Sequence, residues 1–152
     1  MMKTQYTQSL QLEWYAKVMA LLFASFLLLS QVAQANVSPI DVPGATSLDA
    51  HGVKELWMQG ALCIDPRSQS DWEAGRIPGA LHMMSRSEFY KPETVLRFTA
   101  GRYDDPIIAY CNAENCLRAA NLARDLVSWG FTNVYYFRDG FPAWRNAQFP
   151  YE

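Results

Sequence analysis

The chain is poor in the residues that bind metals and nucleic acids. Among 152 residues it has two histidines, His51 and His82, and three cysteines, Cys63, Cys111 and Cys116. A closed zinc site takes four nitrogen or sulfur ligands. Only Cys111 and Cys116 lie together, and neither histidine has a spacing that ties it to them, so no metal is expected. An odd number of cysteines permits one bridge and leaves at least one thiol, which is unlike a scaffold built on disulfides. No long basic stripe is present and the formal net charge is −2, which argues against a nucleic-acid partner. There is also no run of about 20 apolar residues, the length a membrane-spanning helix needs.

The apolar run that does occur, Val18 to Leu29, follows Lys3 and Lys17 and precedes Ala33-Gln34-Ala35. A basic start, a short apolar stretch and a small-x-small site are the signature of a secretory signal peptide. Residues 1–35 are therefore expected to be removed on export to the periplasm, the alternative being an uncleaved N-terminal membrane anchor. Residues 36–152 are then one domain of ordinary size.

Within that domain, Asn36 to Ala45 carries Pro39, Pro43 and Gly44 and reads as a leader reaching the domain edge. Val53, Leu56 and Trp57 mark one face of a short helix starting near Asp49. Ala61 to Ile64 is a buried strand without polar alternation, which suits a parallel sheet covered on both faces. Ser70 to Gly75 is a turn or short helical piece, and a brief strand is expected at Ala80 to His82. Ser87 to Thr99 has helical apolar spacing that Pro92 interrupts. Ile107 to Tyr110 is a strand, and Ala119, Leu122, Ala123, Leu126 and Val127 recur at helical period up to Gly130. Thr132 to Phe137 is β-branched and aromatic, hence a strand, and Phe141 to Gln148 packs a terminal helix through Trp144. Strands alternating with helices give an open α/β domain with its site at the C-terminal ends of the strands.

The stretch Tyr110-Cys111-Asn112-Ala113-Glu114-Asn115-Cys116-Leu117-Arg118 stands at such an end. A strand delivers Cys111 into a short loop, and a helix begins beneath it. Loop N–H groups and the free donors of the helix start can converge there on sulfur or on an anion. A thiolate so placed is expected to have its pKa lowered to about 3.5–7.5.

Several pieces taken in order resemble the rhodanese family: Asp65-Pro66-Arg67, then Gly75-Arg76-Ile77-Pro78-Gly79-Ala80, Tyr110-Cys111, Gly130-Phe131-Thr132-Asn133-Val134-Tyr135, and Asp139-Gly140-Phe141-Pro142-Ala143-Trp144. The resemblance implies an open parallel sheet with helices on both faces and no organic cofactor. It also implies a sulfurtransferase whose Cys111 takes sulfane sulfur as a persulfide from a donor such as thiosulfate and hands it to a thiol or cyanide. Two offsets differ from the family loop. Cys116 stands where an arginine is usual, five residues after the cysteine, and Glu114 stands where a glycine is frequent. The loop is thus two residues longer, with Arg118 its nearest arginine.

The candidate site is therefore Cys111 as nucleophile, with Asn112, Ala113, Glu114, Asn115, Cys116, Leu117 and Arg118 forming the loop. By the resemblance, Asp65 and Arg67 support that loop. Cys116 is expected to condense with an oxidised or persulfidated Cys111, Arg118 to grip a donor oxyanion, and Glu114 to be a solvated acid. Cys63 is expected in the core. The expected partners are a small sulfur-donor anion or persulfide and a thiol acceptor, acting on a monomer. Two rival readings are a redox protein cycling Cys111 and Cys116 through a disulfide, and a binding module that keeps the fold without turnover. If the export reading holds, N-terminal sequencing of the protein from a periplasmic extract begins at Asn36. Recovery only in washed membranes with the initiator methionine retained points to the anchor.

Overall fold

The computed structural model describes residues 14–15, 17–19 and 37–152. It divides into two units, residues 1–36 and 37–152. Of the first, the described residues are helical, with the Trp14 and Tyr15 rings edge to face at 5.3 Å. Apart from Val18 and Met19, the apolar run and the Ala33-Gln34-Ala35 site lie outside the described residues. Among the described residues no helix is long and apolar enough to cross a membrane.

The second unit is a five-stranded sheet, all of whose pairs are parallel. Its elements in order are β1 (Thr46–Ser47), α1 (Ala50–Met58), β2 (Leu62–Asp65), α2 (Gln69–Glu73), β3 (Leu81–His82), α3 (Pro92–Phe98), β4 (Ile107–Tyr110), α4 (Arg118–Ser128), β5 (Val134–Phe137) and α5 (Gly140–Asn146). Across the sheet the strands run β1-β5-β4-β2-β3. From β2 the chain moves outward to β3, and from β4 it moves the other way to β5. The connections therefore reverse direction between β2 and β4, and the crevice beyond their C-terminal ends is where an open α/β sheet binds its ligand.

Strand alternation sorts the core into two layers. Ile107 and Ala109, with Cys111 continuing the same phase beyond the strand, share one layer with Val95, Leu122 and Leu126 of α3 and α4. Ile108 and Tyr110 point the other way, onto Val53 of α1 and Phe141 and Trp144 of α5. Helices thus cover both faces, and this explains why β2 and β4 read as continuous apolar runs.

Element bounds shift by a residue or two from the sequence reading, and three differences have physical causes. Pro92 begins α3 rather than interrupting a helix, because the first turn has no use for the missing N–H; Phe89 and Phe98 are left exposed while Val95 is buried. Asp65 belongs to β2 itself and is completely buried. The leader does more than reach the domain edge. Val42 is 1% exposed within the core, and β1, which no residue pattern announces, pairs Thr46 with Tyr135 and Ser47 with Tyr136.

Leu122 is fully buried where α4 meets the sheet. Leu122→Ala should cost about 2–5 kcal/mol, whereas Phe98→Ala, on the solvent side, should stay within about 0.5 kcal/mol. Denaturant midpoints of the two variants check this.

Candidate active site

At the end of β2, Asp65 and Arg67 form a buried ion pair, their side chains 0% and 3% exposed. Arg67 Nε donates to both carboxylate oxygens at 2.9 and 2.8 Å, and Nη2 donates to one of them at 2.6 Å. The Arg67 backbone N–H adds a fourth contact at 2.9 Å. The rest of the guanidinium is also engaged: Nη2 donates to the Gly75 carbonyl at 2.6 Å and Nη1 to Asn112 Oδ1 at 3.3 Å. It also lies over the Phe141 ring, 4.6 Å from its centroid. Burial alone would lower the Arg67 pKa, but the hydrogen bond and charge of Asp65 outweigh it, so the group is held firmly cationic. Behind the pair, burial first and the Asp65 charge second push the Tyr110 hydroxyl well above the tyrosine range. It stays neutral and accepts from the Ile77 N–H at 3.3 Å.

This pair reaches the cysteine loop through Asn112, the residue after Cys111. A second hold comes from α5. The Phe141 N–H donates to the Cys111 carbonyl at 2.9 Å, and this contact brings Gly140, at φ +59°, against the loop backbone. A Cβ on Gly140 would stand 2.8 Å from the Cys111 carbonyl carbon and 2.9 Å from the Ala113 nitrogen. Only glycine fits there. The Asp139-Gly140-Phe141 stretch is thus part of the site as well as a turn.

Cys111 is fully buried and joined to Cys116 by a disulfide, with Cα atoms 6.2 Å apart, inside the range that a bridge needs. In this form neither sulfur titrates, so a lowered thiolate pKa can apply only to the reduced protein. Between them Ala113 adopts φ +66°, a strained conformation for a residue with a Cβ. The Cys116 N–H turns back to the Ala113 carbonyl at 3.0 Å, and so one of the loop donors is directed to the loop itself. Leu117 precedes α4 in helical conformation without a side-chain cap.

Glu114 is exposed but tied at both ends. Its carbonyl accepts from the Ser38 N–H at 2.7 Å, and its carboxylate pairs with Arg138 Nη2 at 3.4 Å. Arg138 Nε in turn donates to the Ser38 carbonyl at 3.2 Å. Glu114 is therefore the point where the leader and the end of β5 grip the loop. Asn115 and Arg118 are exposed, and Arg118 lines a cleft with Pro66 to Ser68 and Met84 to Ser87.

Cys63 lies apart, buried in β2, and burial raises its pKa to about 12. The sequence reading missed Ser38, Arg138 and Gly140 as holders of the loop. Only Gly140 left a sequence signal, in the Asp139-Gly140 turn; the other two are brought in by folding from distant positions. No group of three or more potential metal ligands occurs among the described residues.

A buried acid–arginine pair thus supports a cysteine loop at the point where the connections of a parallel α/β sheet reverse. Residues 49–147 match the rhodanese-like domain, and the chain belongs to that family. It is 35% identical over 91 residues to the thiosulfate sulfurtransferase GlpE of Pseudomonas fluorescens (strain SBW25), covering 59% of this chain and 74% of that protein. The GlpE of Haemophilus influenzae (strain PittEE) is 31% identical over 96 residues, 63% of this chain and 84% of that one. The solution structure of the rhodanese-like domain of Alr3790 from Anabaena sp. matches with a TM-score of 0.54 at 24% identity, over 70% of this chain and 77% of that domain, a likeness of fold.

Gly140 and Gly79 both have positive φ, but a Cβ at Gly79 meets open space. Gly79→Ala should therefore cost only backbone strain, about 1 kcal/mol. Gly140→Ala should cost clearly more and shift the amide resonances of Cys111 to Ala113, and calorimetry with an amide correlation spectrum of each variant checks both.

Proposed function

We propose that the protein is a sulfurtransferase in which Cys111, once reduced, carries sulfane sulfur as a persulfide. The observation that carries this reading is the seat of Cys111. It lies at the end of β4, next to the crevice where the sheet connections reverse, with its carbonyl held by Phe141 N–H and its neighbour Asn112 held by the buried Arg67. The relatives named thiosulfate sulfurtransferase support the same activity. The thiolate attacks the outer sulfur of a donor such as thiosulfate, the S–S bond of the donor breaks, and sulfite leaves with the electron pair. A thiol acceptor or cyanide then removes the sulfur in a ping-pong cycle. Arg118, exposed at the first position of α4, supplies the charge for the donor oxyanion. The persulfide needs no organic cofactor.

The Cys111–Cys116 disulfide favours a second reading, a thiol–disulfide redox protein. The two share a step, because a thiol acceptor in excess opens the bridge by exchange and frees Cys111. The apolar run and Ala33-Gln34-Ala35 support a periplasmic setting, where such a bridge persists between turnovers.

Reduced protein treated with thiosulfate should gain the mass of one sulfur, located on Cys111, and should pass it to cyanide. Cys111→Ser should abolish transfer while leaving the melting midpoint of the reduced protein nearly unchanged. Retained turnover in that variant would sink the assignment, and a reversible two-hydrogen mass change with no gain of sulfur would establish the redox reading instead.

A further inference from the structure

The disulfide and the leader hold the same few residues. The bridge closes Cys111 to Cys116 into a ring, and Glu114 lies inside it. The Ser38 N–H donates to the Glu114 carbonyl at 2.7 Å, so the leader grips the middle of that ring. Arg138 closes the arrangement, with Nη2 3.4 Å from the Glu114 carboxylate and Nε donating to the Ser38 carbonyl at 3.2 Å. The Tyr136 hydroxyl adds a bond to the Pro39 carbonyl at 3.2 Å.

This part of the leader relies on the loop for its place. Ser38 is 2% exposed, yet its hydroxyl has no partner among the described residues. Burying it unpaired is a cost that release into water removes. From Ile40 onward the leader is held independently: Ser47 Oγ lies 3.1 Å from the Ile40 carbonyl and 2.8 Å from Asp41 Oδ1, and Val42 is buried in the core. The loop also has a reason to move, because Ala113, next to Glu114, stands at φ +66° in the left-handed region, unfavourable for a residue with a Cβ.

We propose that Val37 to Pro39 form a redox-linked strap, seated on the cysteine loop while Cys111 and Cys116 are bridged and released when they are reduced, with Arg138 as its positioning residue. A dithiol supplies the reduction. The Cys111–Cys116 S–S bond breaks, each of the two sulfurs gains a hydrogen, and the dithiol loses both hydrogens and becomes a cyclic disulfide. Without the ring, Ala113 leaves its left-handed conformation and carries the Glu114 carbonyl away from the Ser38 N–H. Coupling of this kind is reciprocal: a seated strap favours the bridge, and freeing the Cys111 thiol frees the leader. The strap holds whether Cys111 carries sulfur or only cycles with Cys116, so its test uses no turnover.

Hydrogen exchange of the unaltered protein reads the strap directly. The Ser38 amide should exchange at least tenfold faster once the bridge is reduced, while the Leu48 amide, bonded to the Tyr136 carbonyl at 3.0 Å, should keep its rate. Equilibration in graded mixtures of reduced and oxidised dithiothreitol, read by mass analysis after thiol blocking, gives the other side of the coupling. Arg138→Gln should shift that equilibrium about fivefold toward the reduced form, the worth of two modest contacts. Loss of a cation near the thiolate alone would act the opposite way, because positive charge stabilises the thiolate and with it the reduced form. Arg124→Gln, which removes the same charge from an exposed position on α4, should leave the equilibrium unchanged. An equal Ser38 exchange rate in both forms overturns the strap. So does an Arg138→Gln equilibrium that is unchanged, shifted toward the bridge, or matched by Arg124→Gln.

Discussion

The buried Asp65–Arg67 ion pair is the constraint on which the site depends. Two charges removed from water at the end of a central strand are costly unless every donor and acceptor is met. Here the carboxylate takes the Arg67 backbone N–H and side-chain donors from Nε and Nη2, while the guanidinium goes on to Gly75 and Asn112. That satisfaction ties three segments together: the end of β2, the turn after α2 and the first residue of the cysteine loop. Removing either charge leaves the other buried and uncompensated, so the pair and the loop position stand or fall together.

The other face of the loop is fixed by backbone rather than by charge. The approach of α5 to the Cys111 carbonyl leaves no room for a Cβ at Gly140, and the Phe141 N–H satisfies an acceptor that burial would otherwise orphan. The loop has one further anchorage. Glu114 provides it by joining the leader at Ser38 to Arg138 beyond β5. With its Glu114 side exposed, the Glu114–Arg138 pair contributes little energy on its own.

A loop held at its ends and strained at Ala113 suits chemistry in which sulfur changes partners. Cys111 is fully buried and bridged to Cys116. The electrostatics around the loop are divided: the buried Arg67 is paired with Asp65, whereas Arg86 and Arg118 are exposed and form no ion pair among the described residues. An arginine already satisfied by a carboxylate and two further acceptors has little left to offer a ligand, so Arg67 supports the loop.

The alternation of apolar runs and helical periods was enough, without coordinates, to establish the parallel α/β class, the strand at Ile107 to Tyr110, the helix from Arg118 and the place of Cys111 at their junction. These are local properties: a four-residue apolar run between turn signals and an amphipathic repeat over three turns mean much the same in any chain. Pro92 misled because proline forbids a helix interior and favours a helix start, and the pattern alone does not say which applies. β1 was illegible because two residues carry no periodicity; its pairing with β5 exists only once the sheet is assembled. The same holds for the site. Cysteine, glutamate and arginine could be named as candidates from their spacing, but spacing is silent on which arginine is buried and which is free. Tertiary structure alone decided that Arg67 reaches Gly75 and Asn112, that Ser38 and Arg138 close on Glu114, and that Arg86 comes to share a cleft with Arg118, because burial and pairing between segments distant in sequence are set by how the segments pack.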